Sequence, residues 1–153
     1  MRKDIVVLGL GNPLMSDEGI GGFLIEALSK KQDNFPDVEF IDAGTGGMSL
    51  LHLIADRDKV ILVDCAYMNT EPGTIKKFTP QQVKSVKNLA HQSLHEADVL
   101  KIIDISRELD QCPRQIIIFG IEPERVELGH KLSDALSSRV SDYLDAIAAE
   151  LQL

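Results

Sequence analysis

Acidic side chains follow three apolar runs of this sequence, where a sheet of parallel strands would place them along one edge. Asp64 comes directly after residues 60–63, Asp42 directly after residues 38–41, and Glu18 follows the loop after the first run. Because a carboxylate cannot stay charged and unpaired in a core, each must face a crevice, cap a loop or pair with another group. Ligand sites of parallel sheets lie at this edge. Glu18 and Asp64 are therefore predicted site residues, with Asp42 as a rival.

Histidines could complete a metal site with these acids. His91 and His95 are four residues apart, as ligands on one helix face would be. The zinc-protease patterns require a glutamate where this sequence has Gln92 or Leu94, so a classical zinc protease is not expected. Two carboxylates and one imidazole with open positions suit a hexacoordinate divalent metal such as nickel, manganese or iron(II).

The glycine-rich segment 9–21 resembles a dinucleotide fingerprint at first sight. That fingerprint needs a third glycine where this sequence has Leu14, and the acids Asp17 and Glu18 would repel a pyrophosphate at the helix start. A nicotinamide or flavin cofactor is therefore not expected. The early glycines predict a tight turn, with Ser16 or Asp17 capping the helix that follows.

Apolar runs alternate with helical patterns along the chain. The runs predict strands at 5–8, 38–41, 60–63, 74–78 and 116–119. Helical spacing predicts helices at about 17–30, from Met48, at 95–109 and at 133–151, with 79–94 mostly loop. The alternation indicates an α/β fold, a three-layer α/β/α domain with a mostly parallel sheet.

The length and net charge of the chain make some classes of function improbable. The 153 residues, with no linker-like segment, predict a single domain over 1–153. Sixteen basic against 24 acidic residues give a net charge of −8, which disfavours nucleic acid and anionic membrane as partners. No apolar run reaches the about 18 residues of a membrane span. Cys65 and Cys112 predict reduced thiols of a cytoplasmic protein, and Cys65 is expected to be buried rather than a nucleophile.

Several motifs occur together in an order and spacing that resemble the [NiFe]-hydrogenase maturation endopeptidases. They cover nearly the whole chain: Gly9–Gly21, Asp42–Met48, Asp64, Pro72-Gly73, Ser93–His95 and Gly120–Glu124. The start of the chain is also similar to that of peptidyl-tRNA hydrolases, but Leu14, the acidic pair and the negative charge argue against that enzyme.

The resemblance implies a twisted five-stranded sheet and a single cut near the C-terminus of a hydrogenase large subunit after nickel insertion. It assigns a metal-binding role to Glu18, Asp64 and His95. His95 is preferred to His91 because Ser93-Leu94-His95, followed by apolar residues at the family's intervals, matches the family pattern. The expected partner is a nickel-loaded large-subunit precursor, and the protease is expected to be a monomer.

Three mechanisms follow from these residues, and the sequence does not choose between them. The preferred one has Glu18, Asp64 and His95 bind nickel already seated in the precursor, with no metal permanently bound to the protease. In the second, a resident divalent metal activates water. In the third, aspartyl-protease-like, Asp42 or Asp64 acts as general base, so the catalytic candidates are Asp64, Glu18 and Asp42. A non-proteolytic metal- or nucleotide-binding chaperone is the alternative function.

Overall fold

The computed structural model describes residues 2–86 and 94–152, and only the backbone of 84–86 and 94–98. The described residues form five strands. They are β1 (Ile5–Leu10), β2 (Val38–Gly44), β3 (Lys59–Cys65), β4 (Ile75–Phe78) and β5 (Gln115–Ile121). Each contains one of the predicted apolar runs or most of it. All except β4 extend further toward their carboxyl ends than predicted.

The strands form one sheet in the order β2-β1-β3-β5-β4. Four strands are parallel, and β4 pairs antiparallel with β5 at one edge. The predicted mostly parallel sheet is confirmed. Because β3 lies at the centre, every residue of it is buried, which accounts for its continuous apolar run.

Helices cover both faces of this sheet. They are α1 (Ile20–Ser29), α2 (Ser49–Ile54), α3 (Pro80–Val86), α4 (Leu94–Glu108), α5 (Asp134–Ser137) and α6 (Val140–Leu151). One core cluster joins the sheet to α2, α3 and α4, and the other joins it to α1, α5 and α6. The three-layer α/β/α architecture is therefore confirmed. Within the described residues, no helix has both the length and the apolar character to cross a bilayer.

The loop predicted between β4 and α4 was wrong in its first part. Residues 79–94 were expected to be mostly loop, yet α3 begins at Pro80 and buries Val83 against the sheet. Thr79 and Gln82 cap its start reciprocally, since each backbone N–H donates to the side chain of the other, at 2.8 and 3.3 Å. Residues 87–93 of that prediction lie outside the described part of the chain.

The single helix predicted over 133–151 is divided into α5 and α6. The break falls at Ser138 and Arg139, directly after Ser137. Serine side chains compete for backbone hydrogen bonds and so weaken a helix interior. Apolar residues on both sides of the break, Leu136 and Tyr143, still pack into one core, which is why the helical spacing continued across it.

Candidate functional site

Glu18 lies in a short 3-10 turn, Ser16–Gly19, between β1 and α1. The chain leaves β1 through Gly11, whose φ of +126° disfavours other residues. A Cβ on Gly11 would overlap the carbonyl oxygen of Glu18, so only glycine lets the turn fold back so tightly on the strand end. The turn also contacts β3. The glycine-rich segment therefore brings Glu18 to the carboxyl edge of the sheet.

Gly21 allows α1 to begin directly on top of the sheet. A Cβ there would lie 2.7 Å from the backbone nitrogen of Leu10 and 2.7 Å from the carbonyl oxygen of Val63. These backbone atoms belong to β1 and β3 and cannot move aside, so α1 reaches this position only with glycine. The position of the turn that carries Glu18 depends on this close contact.

Asp64 occupies the next-to-last position of β3, opposite Gly120 of β5, and its side chain is buried. Side chains alternate along a strand, so Asp64 lies on the same face as Val60 and Leu62, toward α4. It lines a cavity of about 20 Å³ beside Val99 of α4. The predicted strand-end carboxylate therefore points into a space between the sheet and α4.

The pKa of the Cys65 thiol is affected by the acids near the end of β3. Burial raises its pKa, and the nearby charges of Asp64, Glu18, Asp17 and Glu122 raise it further. The charges of Glu18 and Asp64, predicted from two separate parts of the sequence, therefore both act on this thiol. That thiol is buried and stays protonated, which argues against a nucleophilic role for Cys65 and agrees with the expected buried thiol.

The predicted histidine ligand is placed by its backbone alone. His95 is the second residue of α4, one helical turn before Val99, and its side chain is outside the described part of the structure. His91 also lies outside it. Among the side chains that are described, no three of His, Cys, Asp and Glu are arranged to bind a metal ion. The metal set of Glu18, Asp64 and His95 therefore stays a prediction.

Asp42 lies apart from these acids. It is an exposed residue of β2, which is separated from β3 by β1, and its Oδ1 accepts a 3.0 Å hydrogen bond from the backbone of Gly44. It lines a cleft of about 180 Å³ that also contains Glu26 and His130. Two strand spacings, about 10 Å, separate it from the β3 end. The structure therefore does not bring Asp42 together with Asp64.

Asp17 has a role that differs from the predicted helix cap. Neither Ser16 nor Asp17 caps a helix by its side chain. Asp17 is instead fully buried, and its carboxylate accepts four hydrogen bonds of 2.7–2.9 Å from Glu124, Arg125 and Ser133. Burial alone would raise the pKa of Asp17, but these hydrogen bonds outweigh it and lower the pKa below its usual value.

Glu122 is a second buried carboxylate that the sequence did not assign. It follows β5, and its Oε1 accepts hydrogen bonds from the backbone of Met68 at 2.7 Å and from the backbone and hydroxyl of Thr70 at 3.2 and 3.0 Å. The sequence contained one signal for it, since Glu122 follows an apolar strand just as Asp64 does.

Comparison with known proteins is consistent with this geometry. The family model HycI, hydrogenase maturation protease, matches residues 23–150. The Hydrogenase 2 maturation protease of Escherichia coli is 32% identical over 152 residues, which cover 97% of this chain and 90% of the relative. The HoxM hydrogenase expression/formation protein of Cupriavidus necator is 28% identical over 142 residues, covering 92% of this chain and 70% of the relative.

A solved structure has the same architecture. The hydrogenase maturating endopeptidase HybD of Escherichia coli superposes with a TM-score of 0.85 at 29% identity, over 99% of this chain and 93% of HybD. These similarities favour neither a peptidyl-tRNA hydrolase nor a non-proteolytic chaperone. The protein belongs to the hydrogenase maturation protease family.

Proposed function

We propose that this protein is the endopeptidase that removes a short C-terminal extension from the precursor of a [NiFe]-hydrogenase large subunit after nickel insertion. The membership of the family supports the reaction. The observation that supports the rest is that the turn of Glu18 contacts β3, the strand that ends with Asp64 and Cys65.

In this proposal the nickel arrives with the substrate. Glu18, Asp64 and His95 supply oxygen and nitrogen ligands to open positions of the nickel in the precursor, and so dock it on the sheet edge. Two carboxylates that face each other repel, and a divalent cation between them offsets that repulsion. A precursor without nickel lacks this attraction, so the protease acts only on the loaded precursor. We propose that it does so in the cytoplasm and as a monomer.

The hydrolysis of the peptide bond needs a general base that is not itself a ligand of the nickel. We assign this role to Asp42, because its carboxylate is exposed in a cleft and lies about 10 Å from the end of β3. An extended peptide covers that distance in about three residues. The scissile bond therefore lies a few residues from the docked nickel, with Asp42 activating the attacking water.

The test is a processing reaction followed by mass spectrometry. The protein is incubated with a large-subunit precursor encoded in the same genome, once loaded with nickel and once without, and both products are weighed. Loss of a C-terminal fragment from the loaded precursor alone is expected. An unchanged mass in both samples overturns the proteolytic function, and equal cutting of both overturns the nickel requirement.

A further inference from the structure

A segment that follows β5 fastens the turn of Glu18 to the rest of the site. We call residues Glu122–Ser133 the clamp segment. Four backbone-directed hydrogen bonds of 2.8–3.1 Å join it to the loop after β1. They are Gly129 N–H to Leu14 O, Ser16 N–H to Gly129 O, Ser16 Oγ–H to Glu127 O, and Asp17 N–H to Arg125 O.

The carboxylate of Asp17 is the centre of this attachment. Its two oxygens accept the backbone N–H groups of Glu124, Arg125 and Ser133 and the Ser133 hydroxyl. Asp17 is fully buried, so water cannot replace it as acceptor. Without the carboxylate, the backbone N–H groups of Glu124, Arg125 and Ser133 would lose their acceptor. The bonds from Ser133 are buried, so its donors would be left unsatisfied, which is costly.

The other end of the clamp segment contains the second buried carboxylate. Glu122 accepts hydrogen bonds from Met68 and Thr70, in the loop that follows Asp64 and Cys65. The clamp segment thus contacts both sides of the site, the turn of Glu18 through Asp17 and the loop after Asp64 through Glu122.

We propose that Asp17 is a positioning residue of the protease, which sets the place of Glu18 through the clamp segment, while Glu122 does the same for the loop after Asp64. This inference rests on the proposed function, in which Glu18 and Asp64 bind the nickel of the precursor. Asp17 and Glu18 are adjacent in a four-residue turn, so a shift of the buried Asp17 moves the backbone of Glu18 with it.

A double-mutant cycle separates positioning from support of the fold. Binding of the nickel-loaded precursor is measured for wild type, Asp17→Asn, Glu18→Gln and the double variant, with thermal melting of each. Asp17→Asn keeps the size of the side chain but turns an amide N–H₂ toward N–H donors. We expect it to weaken binding about 10–100-fold, as is usual for residues that orient metal ligands.

The double variant decides between the two roles. If Asp17 acts through Glu18, the double variant binds no more weakly than the weaker single variant, because the interaction is already lost. Losses that add in full show that Asp17 only supports the fold and overturn the inference, as does unchanged binding by Asp17→Asn. Asp33→Asn is the matched control, because Asp33 is exposed in another 3-10 turn, Gln32–Asn34. It should bind like wild type.

Two further variants keep the test decisive if Asp17→Asn fails to fold. Ser133→Ala removes one of the four hydrogen bonds to Asp17, and we expect about a fivefold loss of binding, the effect of one net hydrogen bond. Glu122→Gln should also weaken binding, whereas Glu108→Gln, at the exposed end of α4, should not. If wild-type protein leaves the loaded precursor uncut, the proposed function is refuted. If both Ser133→Ala and Glu122→Gln bind the precursor normally, only the positioning role is refuted.

Discussion

The hydroxyl of Tyr143 donates a 2.6 Å hydrogen bond to the carbonyl oxygen of Gly73. This bond joins α6 to the turn that precedes β4. The backbone N–H of Gly73 donates at 2.8 Å to the carbonyl of Glu122, so the turn is held from two directions. Tyr143 is among the largest fully buried side chains of the protein, and its hydroxyl meets its partner inside the core.

Tyr143 should make the protein sensitive to high pH. Burial raises the pKa of Tyr143 to about 12, above the value of 10.0 expected for the unfolded chain. A raised pKa contributes stability that is complete below pH 10 and is lost as the pH rises through 12. Urea unfolding between pH 9 and pH 11.5 should therefore show a steeper loss for wild type than for Tyr143→Phe. At pH 8 the variant should be about 1–2 kcal/mol less stable, and equal slopes would contradict this role.

Glu18→Gln and His95→Ala should abolish processing of the nickel-loaded precursor while the fold stays intact. Each removes one proposed ligand of a nickel that arrives with the substrate, so melting temperatures followed by circular dichroism should match wild type. Glu108→Gln serves as control for the loss of one acid. Normal trimming by either variant would show that the ligands are assigned wrongly.

Asp42→Asn should lower the rate of cutting without weakening the binding of precursor. The change removes the proposed base but leaves Glu18 and Asp64 to bind nickel, and general bases contribute about 10²–10⁴-fold in rate. Single-turnover cutting and precursor affinity are measured on the same sample. A matching loss of affinity would place Asp42 in docking instead of in proton transfer.

Gly21→Ala should unfold the region around the site. The added methyl group would press against the backbone of Leu10 and Val63, and overpacking of this kind costs about 1–3 kcal/mol or more. Gly44→Ala is a matched control because a Cβ there meets nothing within 4 Å. Its only expected cost is the backbone strain of a φ of +57°, about 1–2 kcal/mol of stability. Guanidinium unfolding of both variants measures the difference, and equal losses would show that close packing of α1 is unimportant.

The two cysteines should differ in reactivity in the native protein. Cys65 is buried and its pKa is raised by burial and by surrounding carboxylates, so hardly any reactive thiolate forms. Cys112 is half-buried and should react with a thiol reagent at pH 8. One thiol per chain is expected to react before unfolding and two in guanidinium. Rapid reaction of Cys65, located by peptide mapping, would contradict the packing at the carboxyl edge.

The sheet could be predicted from the sequence because its central strands are buried on both faces. Continuous apolar runs such as residues 60–63 have few alternatives to a buried strand. Helix α3 was missed because its seven residues contain only two strongly apolar side chains, Val83 and Val86, which is too short an apolar pattern to recognise. Its signal was local and polar, the pair Thr79 and Gln82 at its start.

The position of Asp64 could be predicted because it depends on one strand alone. Asp64 directly follows an apolar run, and that alone places it at the carboxyl edge. The roles of Asp17 and Glu122 were not predictable in this way, because a buried carboxylate is stable only if donors reach it. Those donors come from residues 107–116 positions away for Asp17 and 52–54 positions away for Glu122. Such partners are known only once the chain is folded.

The separation between Asp17 and Ser133 has a consequence for synthesis in the cell. Asp17 leaves the ribosome well before its partner, and at about 5–20 residues per second the 116 intervening steps take roughly 6–23 s. During that interval the acidic edge lacks the segment that completes it. A nascent chain would therefore be unable to cut any precursor, and proteolytic competence would arise only when almost all of the domain has been translated.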